Sequence, residues 1–162
     1  MSADESGLRR SARNAVRRLM HLRFRLTRAM TLGVRAAVFD DGGRVFLVRH
    51  SYVPGWHLPG GGVEVGETFA VALAKELREE GAIELTGTAQ LHGIFFNNRY
   101  SRRDHVAVYV VRDFRVLEAR KPDWEIVESG FFSLDALPEA TTLSTRARLA
   151  EIAGAQPRSD MW

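Results

Sequence analysis

Cysteine is absent from this sequence of 162 residues. Disulfides, thiolate metal sites and cysteine nucleophiles are therefore excluded. Long apolar runs are missing too, since none approaches the roughly 20 residues needed to span a bilayer. No secretory-type apolar stretch stands near the start. Internal repeats and low-complexity linkers are also lacking. A soluble, cytoplasmic protein is the simplest expectation. What remains is ordinary, with an apolar share of 45% and a length typical of one domain.

Charge is placed unevenly. Residues 1–30 carry eight arginines against only Asp4 and Glu5, a surplus of six positive charges. The chain total is +3, so residues 31–162 are left at −3. Arg9, Arg10, Arg13, Arg17, Arg18, Arg23, Arg25 and Arg28 interleave with Leu8, Ala12, Val16, Leu19, Phe24 and Leu26. Much of this fits a basic amphipathic helix over about 8–28. Such a helix would pack its apolar side on the domain or on a second subunit in a homodimer. Contact with an anionic membrane surface through residues 8–28 is the sharper alternative. Nucleic acid is not expected as a partner, because no aromatic-interleaved basic stripe or known nucleic-acid motif accompanies the arginines.

After Thr31 the pattern becomes regular. Val34 to Phe39 reads as a buried strand, Asp40-Asp41-Gly42-Gly43 as a turn, and Arg44 to Arg49 as the returning strand. Leu85 to Phe96 is mainly extended, with bends at Gly87 and Gly93. Asn97 to Arg103 is a loop, His105 to Arg112 a strand, and Trp124 to Phe132 extended. Leu143 to Ile152 is the last helix. Residues 154–162 have no periodicity and are expected to be loose. Three parts follow: a basic helical appendage at 1–30, a domain at 31–153 and a tail at 154–162. Strands before, between and after the helices imply an α/β class with a mixed sheet between helices.

The most informative stretch runs from Gly61 to Ile83. Glycines come first, in Leu58-Pro59-Gly60-Gly61-Gly62, and carboxylates follow, in Glu76-Leu77-Arg78-Glu79-Glu80. On a helix Glu76, Glu79 and Glu80 share one arc, because residues three and four apart are neighbours. Phe69, Ala70, Leu73 and Leu77 form an adjoining apolar stripe, while Val71, Lys75 and Arg78 point away. Three carboxylates on one face repel each other, and hard oxygen ligands clustered this way suit Mg²⁺ or Mn²⁺. Alone, such a triplet reads as a solvated acidic face. The glycine run changes the balance, because it lets backbone approach a ligand closely. Glu67 stands near the helix start, where the macrodipole favours negative charge.

The spacing resembles the Nudix box, G-x5-E-x7-R-E-U-x-E-E-x-G-U, where U is a bulky aliphatic residue. Gly61, Glu67, Glu76, Leu77, Glu79, Glu80 and Ile83 match their slots. Two positions depart. Lys75 stands for Arg, and a lysine cannot make the paired hydrogen bonds of a guanidinium. Ala82 stands for Gly, one place after Gly81. That matters only if the position needs a left-handed backbone, and a one-residue shift of the helix end would hand the task to Gly81.

The resemblance implies the Nudix fold, an α/β/α sandwich with the box helix beside the sheet. It also implies hydrolysis of a diphosphate bond in a nucleoside diphosphate derivative, with Mg²⁺ or Mn²⁺ as cofactor. Glu76, Glu79 and Glu80 are the implied metal ligands. Glu67 supports the loop. Glu76 is the alternative base, as is a glutamate from a later loop, for which Glu128 is weighed evenly against surface charge. For Glu125 surface charge is the favoured reading. Gly60, Gly61, Arg49 and Arg99 are candidates for substrate contact, with Arg35 near the site in similar proteins. The scattered histidines are expected to be packed or exposed rather than ligands.

Substrate choice is carried by fewer signals. Some ADP-ribose hydrolases of this family have a proline downstream of the box, and none occurs between Phe69 and Lys121. Some dinucleoside polyphosphate hydrolases have a tyrosine near the position of Tyr100. A compact domain fits a nucleoside triphosphate pyrophosphohydrolase best. A Nudix-like binding module that has lost turnover is the reading from another class, motivated by Lys75 and Ala82. A diphosphate isomerase would be expected to use a catalytic cysteine, which is absent.

Overall fold

A computed structural model describes residues 29–117 and 122–162. The basic helix expected over 8–28 lies outside the described residues. Two three-stranded sheets dominate. In the first, β1 (Thr31–Val38) runs parallel to β6 (Asp104–Val111), which pairs antiparallel with β5 (Gln90–Phe96). In the second, β2 (Val45–His50) lies between β3 (Trp56–His57) and β8 (Ile126–Phe132), antiparallel to both. A small ribbon joins β4 (Ile83–Leu85) to β7 (Phe114–Val116).

Alternation along the strands builds two cores. Val34, Ala36 and Val38 of β1 and Phe46 and Val48 of β2 face Ala72, Leu73 and Leu77 of helix α1 (Phe69–Gly81). Ala37, Val45 and Leu47 point the other way, toward Leu149 and Ile152 of helix α2 (Leu143–Ile152). Successive strand residues serve opposite faces, so one set of strands seats a helix on each side. This is the expected mixed α/β arrangement. The apolar face of α1 differs by one position from expectation, since Ala72 is buried and Ala70 is exposed. Val71, Lys75 and Arg78 are exposed as expected.

Helix α1 begins at Thr68, whose hydroxyl accepts the Val71 N–H at 3.2 Å, satisfying one of the four open donors of the first turn. Its end resolves the question left by the two departures. Ala82 adopts φ 51° and ψ 36°, and its N–H reaches the Arg78 carbonyl. The alanine therefore takes the left-handed cap itself, and the helix does not shift. Gly81 stays helical for a different reason: a Cβ there would lie 2.9 Å from the Phe46 ring and 3.0 Å from Ile83.

The tail is not loose. Trp162 N–H donates to the Phe96 carbonyl (3.1 Å), and Phe96 N–H donates to that of Asp160 (2.8 Å). Trp162 packs into the α2 core. Pairing with a strand edge and one aromatic anchor hold it, and neither leaves a periodic trace in nine residues.

A left-handed alanine costs about 1–2 kcal/mol, of which glycine returns part as chain entropy. Ala82→Gly should therefore stabilise by up to about 1 kcal/mol, raising Tm by about 2–4 °C. Gly81→Ala should lower it. Calorimetry on both variants checks this, and the opposite pair of signs would contradict the cap assignment.

Candidate functional site

The glycine-rich run lies along the free edge of β1. Val34 N–H donates to the Gly61 carbonyl (2.9 Å), Ala36 N–H to that of Pro59 (2.9 Å), and Val63 N–H to that of Leu32 (2.8 Å). Gly60 has φ 142°, and a side chain there would strike the Val34 carbonyl. At Gly61 a Cβ would meet the Glu76 carboxyl carbon at 2.6 Å. Glycine is what lets this backbone lie against both a strand and a carboxylate. Arg35 fastens the run from below, donating from Nη1 to the carbonyls of Leu58 (3.1 Å) and Gly60. Glu67 closes the following turn, its carboxylate accepting the Glu64 N–H at 3.1 Å.

Helix α1 presents Glu80 to this loop. The Glu80 carboxylate is buried and accepts the Gly60 N–H at 2.7 Å. His50 Nε2 lies 3.5 Å from its other oxygen. Ligand atoms of His50, Glu80 and Glu125 all fall within 4.8 Å of one another. Glu76 lines the same cleft, of about 310 Å³, with Arg35, Tyr52 and Gly60 to Gly62.

Burial pushes the Glu80 carboxyl up to about 7, aided by Glu76 and Glu125 and opposed by Arg35 and the Gly60 N–H. Glu76 is raised as well, by burial and then by the Glu79 carboxylate, with Lys75 and Arg35 opposing. Lys75 thus acts on Glu76 as a charge. Carboxylates drawn out of water with little compensating positive charge have the character of a cation site. Oxygen donors with one imidazole suit a divalent metal.

Glu125 reaches the cleft from the loop before β8. The Asp123 carboxylate accepts the N–H of Glu125 (2.9 Å) and of Ile126 (2.8 Å), fixing the turn. Ser51 N–H donates to the Glu125 carbonyl at 2.9 Å. Tyr52 donates its hydroxyl to Glu125 Oε1 at 3.1 Å.

The structure brings together Glu76, Glu80, Gly60 and Gly61 of the expected residues. Glu79 is exposed on the adjoining arc, close enough to act on Glu76. Three others stand apart from the cleft. Glu128 is cross-strand partner to Arg49, and their side chains form an ion pair at 2.8 Å. Arg49 lies over the Trp56 ring instead of entering the cleft. Arg99 lines a separate depression beside α2. Two residues that sequence reasoning set aside, His50 and Glu125, are in the cluster. A β-bulge between Arg49 and His50 re-aims the chain there, and a bulge has no reliable sequence signal.

A second recess, of about 540 Å³, shares Arg35, Tyr52, His57, Gly61 and Gly62 with the acidic cleft.

A glycine loop stitched to a sheet edge and facing carboxylates of a helix, inside a mixed α/β domain, defines a class of phosphate-handling domain. The family model for the NUDIX domain matches residues 30–151, and the chain belongs to the Nudix hydrolase family. Its fold superposes with a TM-score of 0.62 on a MutT NUDIX hydrolase from Burkholderia pseudomallei, 30% identical over 75% of this chain and 97% of that one. An ADP-ribose pyrophosphatase from Streptococcus suis gives a TM-score of 0.57 at 29% identity, covering 82% and 95%. An RNA pyrophosphohydrolase from Gluconobacter oxydans is 39% identical over 61 residues, 34% of this chain and 36% of that protein. The chain spans half or less of the length of the curated relatives it matches. Among the described residues, no helix is long and apolar enough to cross a membrane.

The raised Glu80 value fixes a sign for pH dependence. Its ordinary value is 4.5 and its folded value about 7, so the folded state holds the extra proton between them. Stability of the metal-free protein from this group is full below 4.5 and falls as pH rises through 7, on the order of 3 kcal/mol in all. Denaturation in chelator at about pH 5 and about pH 8 measures it. The expected result is lower stability at the higher pH, restored there by a divalent cation. Stability that rises over this window, with no response to cation, would contradict the assignment.

Proposed function

We propose that the chain is a metal-dependent hydrolase that cuts a diphosphate bond in a nucleoside diphosphate-linked substrate. The observation that carries this reading is buried Glu80, gathered with half-buried Glu76 and Glu125 around a cleft walled by glycine backbone. We assign metal binding to Glu76 and Glu80, with Glu79 at the outer edge, and Mg²⁺ or Mn²⁺ as the ion. Such an ion neutralises phosphate charge and makes water a better nucleophile. Arg35 adds a fixed positive charge at the junction of cleft and recess. The Gly60 N–H holds Glu80 in place, so its carboxylate need not reorganise during reaction.

Glu125 is the preferred general base. Its carboxylate faces the cleft from a braced loop, whereas Glu128 is occupied by Arg49. Water attacks phosphorus as Glu125 takes its proton, the bridging P–O bond breaks with its electron pair going to the departing phosphate oxygen, and the two phosphate-bearing products separate. A nucleoside triphosphate is the favoured substrate, giving a monophosphate and pyrophosphate. The absence of proline from Phe69 to Lys121 argues against ADP-ribose, and a compact domain argues for a small substrate. The relatives differ among themselves in what their names say they act on, so the family alone does not choose.

Purified protein with Mg²⁺ or Mn²⁺ is to be assayed on nucleoside triphosphates, ADP-ribose, dinucleoside polyphosphates and sugar nucleotides. Triphosphate turnover is expected, abolished in Glu80→Gln and severely reduced in Glu79→Gln. Glu125→Gln should lower kcat by about 100-fold or more, the scale of general-base loss, and Glu128→Gln by less than about fivefold. The reverse order would move the base to Glu128. Saturable nucleotide binding with no product on any substrate would replace the enzyme with a binding module.

A further inference from the structure

We propose that the C-terminal segment is part of the substrate site, with the Trp162 ring as a stacking wall for the planar base of the nucleotide. This rests on the reading that the diphosphate lies at Glu76 and Glu80. From there, the shared boundary at Arg35, Gly61 and Gly62 leads into the larger recess. Trp162 lines that recess. The recess wall also carries the Ser144 side chain and a bonded polar group in which Thr31 Oγ1 and Asn97 Nδ2 donate to the Asp104 carboxylate at 2.6 and 2.8 Å. Aromatic surface beside hydrogen-bonding groups suits a flat heterocycle with polar edges, which an alkyl chain or a bare phosphate would not use.

The ring is held in place by an arrangement beyond what covering a core requires. Arg148, on α2, is 2% exposed. Its Nη1 donates to the Met161 carbonyl at 2.6 Å and its Nη2 to Glu151 Oε1 at 2.6 Å. Glu151 Oε1 also accepts the Ser159 N–H at 2.9 Å. The Arg148 guanidinium lies 3.9 Å from the centroid of Phe95, and Phe95 meets Trp162 edge-on at 6.2 Å. Burying an ion pair costs desolvation that apolar residues of similar volume would avoid. What this one secures is the position of the last turn of chain, to within hydrogen-bond tolerance. Trp162 is left half-buried, its ring edge-on to Phe95, and the residue lines the recess. Tyr100, 82% exposed, stands on the turn after β5 and also borders the recess.

The test uses the full chain and non-hydrolysable adenosine and guanosine triphosphate analogues, with inorganic triphosphate as the base-free probe. Calorimetry should show Trp162→Ala weakening nucleotide binding by about tenfold, the scale of losing one stacking partner. Inorganic triphosphate should change by less than about twofold, and Trp162→Phe should keep most of the nucleotide affinity. Nucleotide should quench tryptophan fluorescence in the wild type and in Trp124→Phe, whose ring is 80% exposed and outside the recess. Most of that quench should vanish in Trp162→Phe. Unchanged nucleotide affinity in a folded Trp162→Ala overturns the proposal and leaves the hydrolase reading intact. If Trp162→Ala fails to fold, a quench that persists in Trp162→Phe overturns it equally. A wild type that binds inorganic triphosphate or no phosphate ligand, but no nucleotide, overturns this inference together with the nucleotide reading beneath it.

Discussion

The contact on which the rest depends is the one between the Glu80 carboxylate and the Gly60 N–H. It joins a helix that carries acids to a loop that carries bare backbone. Everything local serves it. Gly60 accepts a backbone conformation that brings the loop against β1, Arg35 clamps the loop's carbonyls, and Leu73 and Leu77 hold the helix at the right depth. The result is a carboxylate removed from water without a direct lysine or arginine bond among its described contacts. Burial raises its proton affinity, and a positive charge close by would oppose that rise. A bound cation would supply such a charge, which is the basis of the metal role proposed for these acids.

The two strand-borne cores explain why this contact can be rigid. Each strand gives alternate residues to opposite helices, so α1 and α2 share a sheet framework without touching the same side chains. Helix α1 bears the acids. Helix α2, through Arg148, fixes the tail beside the recess. The acidic cleft draws on α1 and the recess on α2, and the two meet at Arg35, Tyr52, His57 and the glycine loop. A division of this kind lets the bond-breaking apparatus stay constant while the wall that meets the rest of the ligand changes. The differing substrates named for relatives of the same fold accord with that separation.

Much of this was legible in the residues alone. The longer strands, both helices and the joint presence of glycines and acids follow from periodicity and spacing, because these depend on neighbours a few positions apart, whereas the short strands β3 and β7 left no pattern to read. The Ala82 cap was legible as a question, since a left-handed site can be suspected from a missing glycine but decided only by the backbone. Three things were not legible. Glu125 owes its place to the Asp123 turn and to Ser51, and His50 to a bulge; both depend on pairing between segments more than 70 residues apart in sequence. Glu128 looked the better candidate of the two until register set it opposite Arg49. The tail had no period to read, because a single edge pairing and one buried arginine hold it. Local chemistry announces itself in sequence, and long-range register does not.

The central claim is that the buried acids hold a divalent cation together with a phosphate chain. Crystals soaked in Mn²⁺ with a non-hydrolysable nucleoside triphosphate, read by anomalous scattering, test it most directly. The account predicts a strong peak in contact with carboxylate oxygens of Glu76 and Glu80 and with phosphate oxygens. Ordered nucleotide with no peak at those side chains, matched by calorimetry showing no uptake of Mn²⁺ or Mg²⁺, would contradict it.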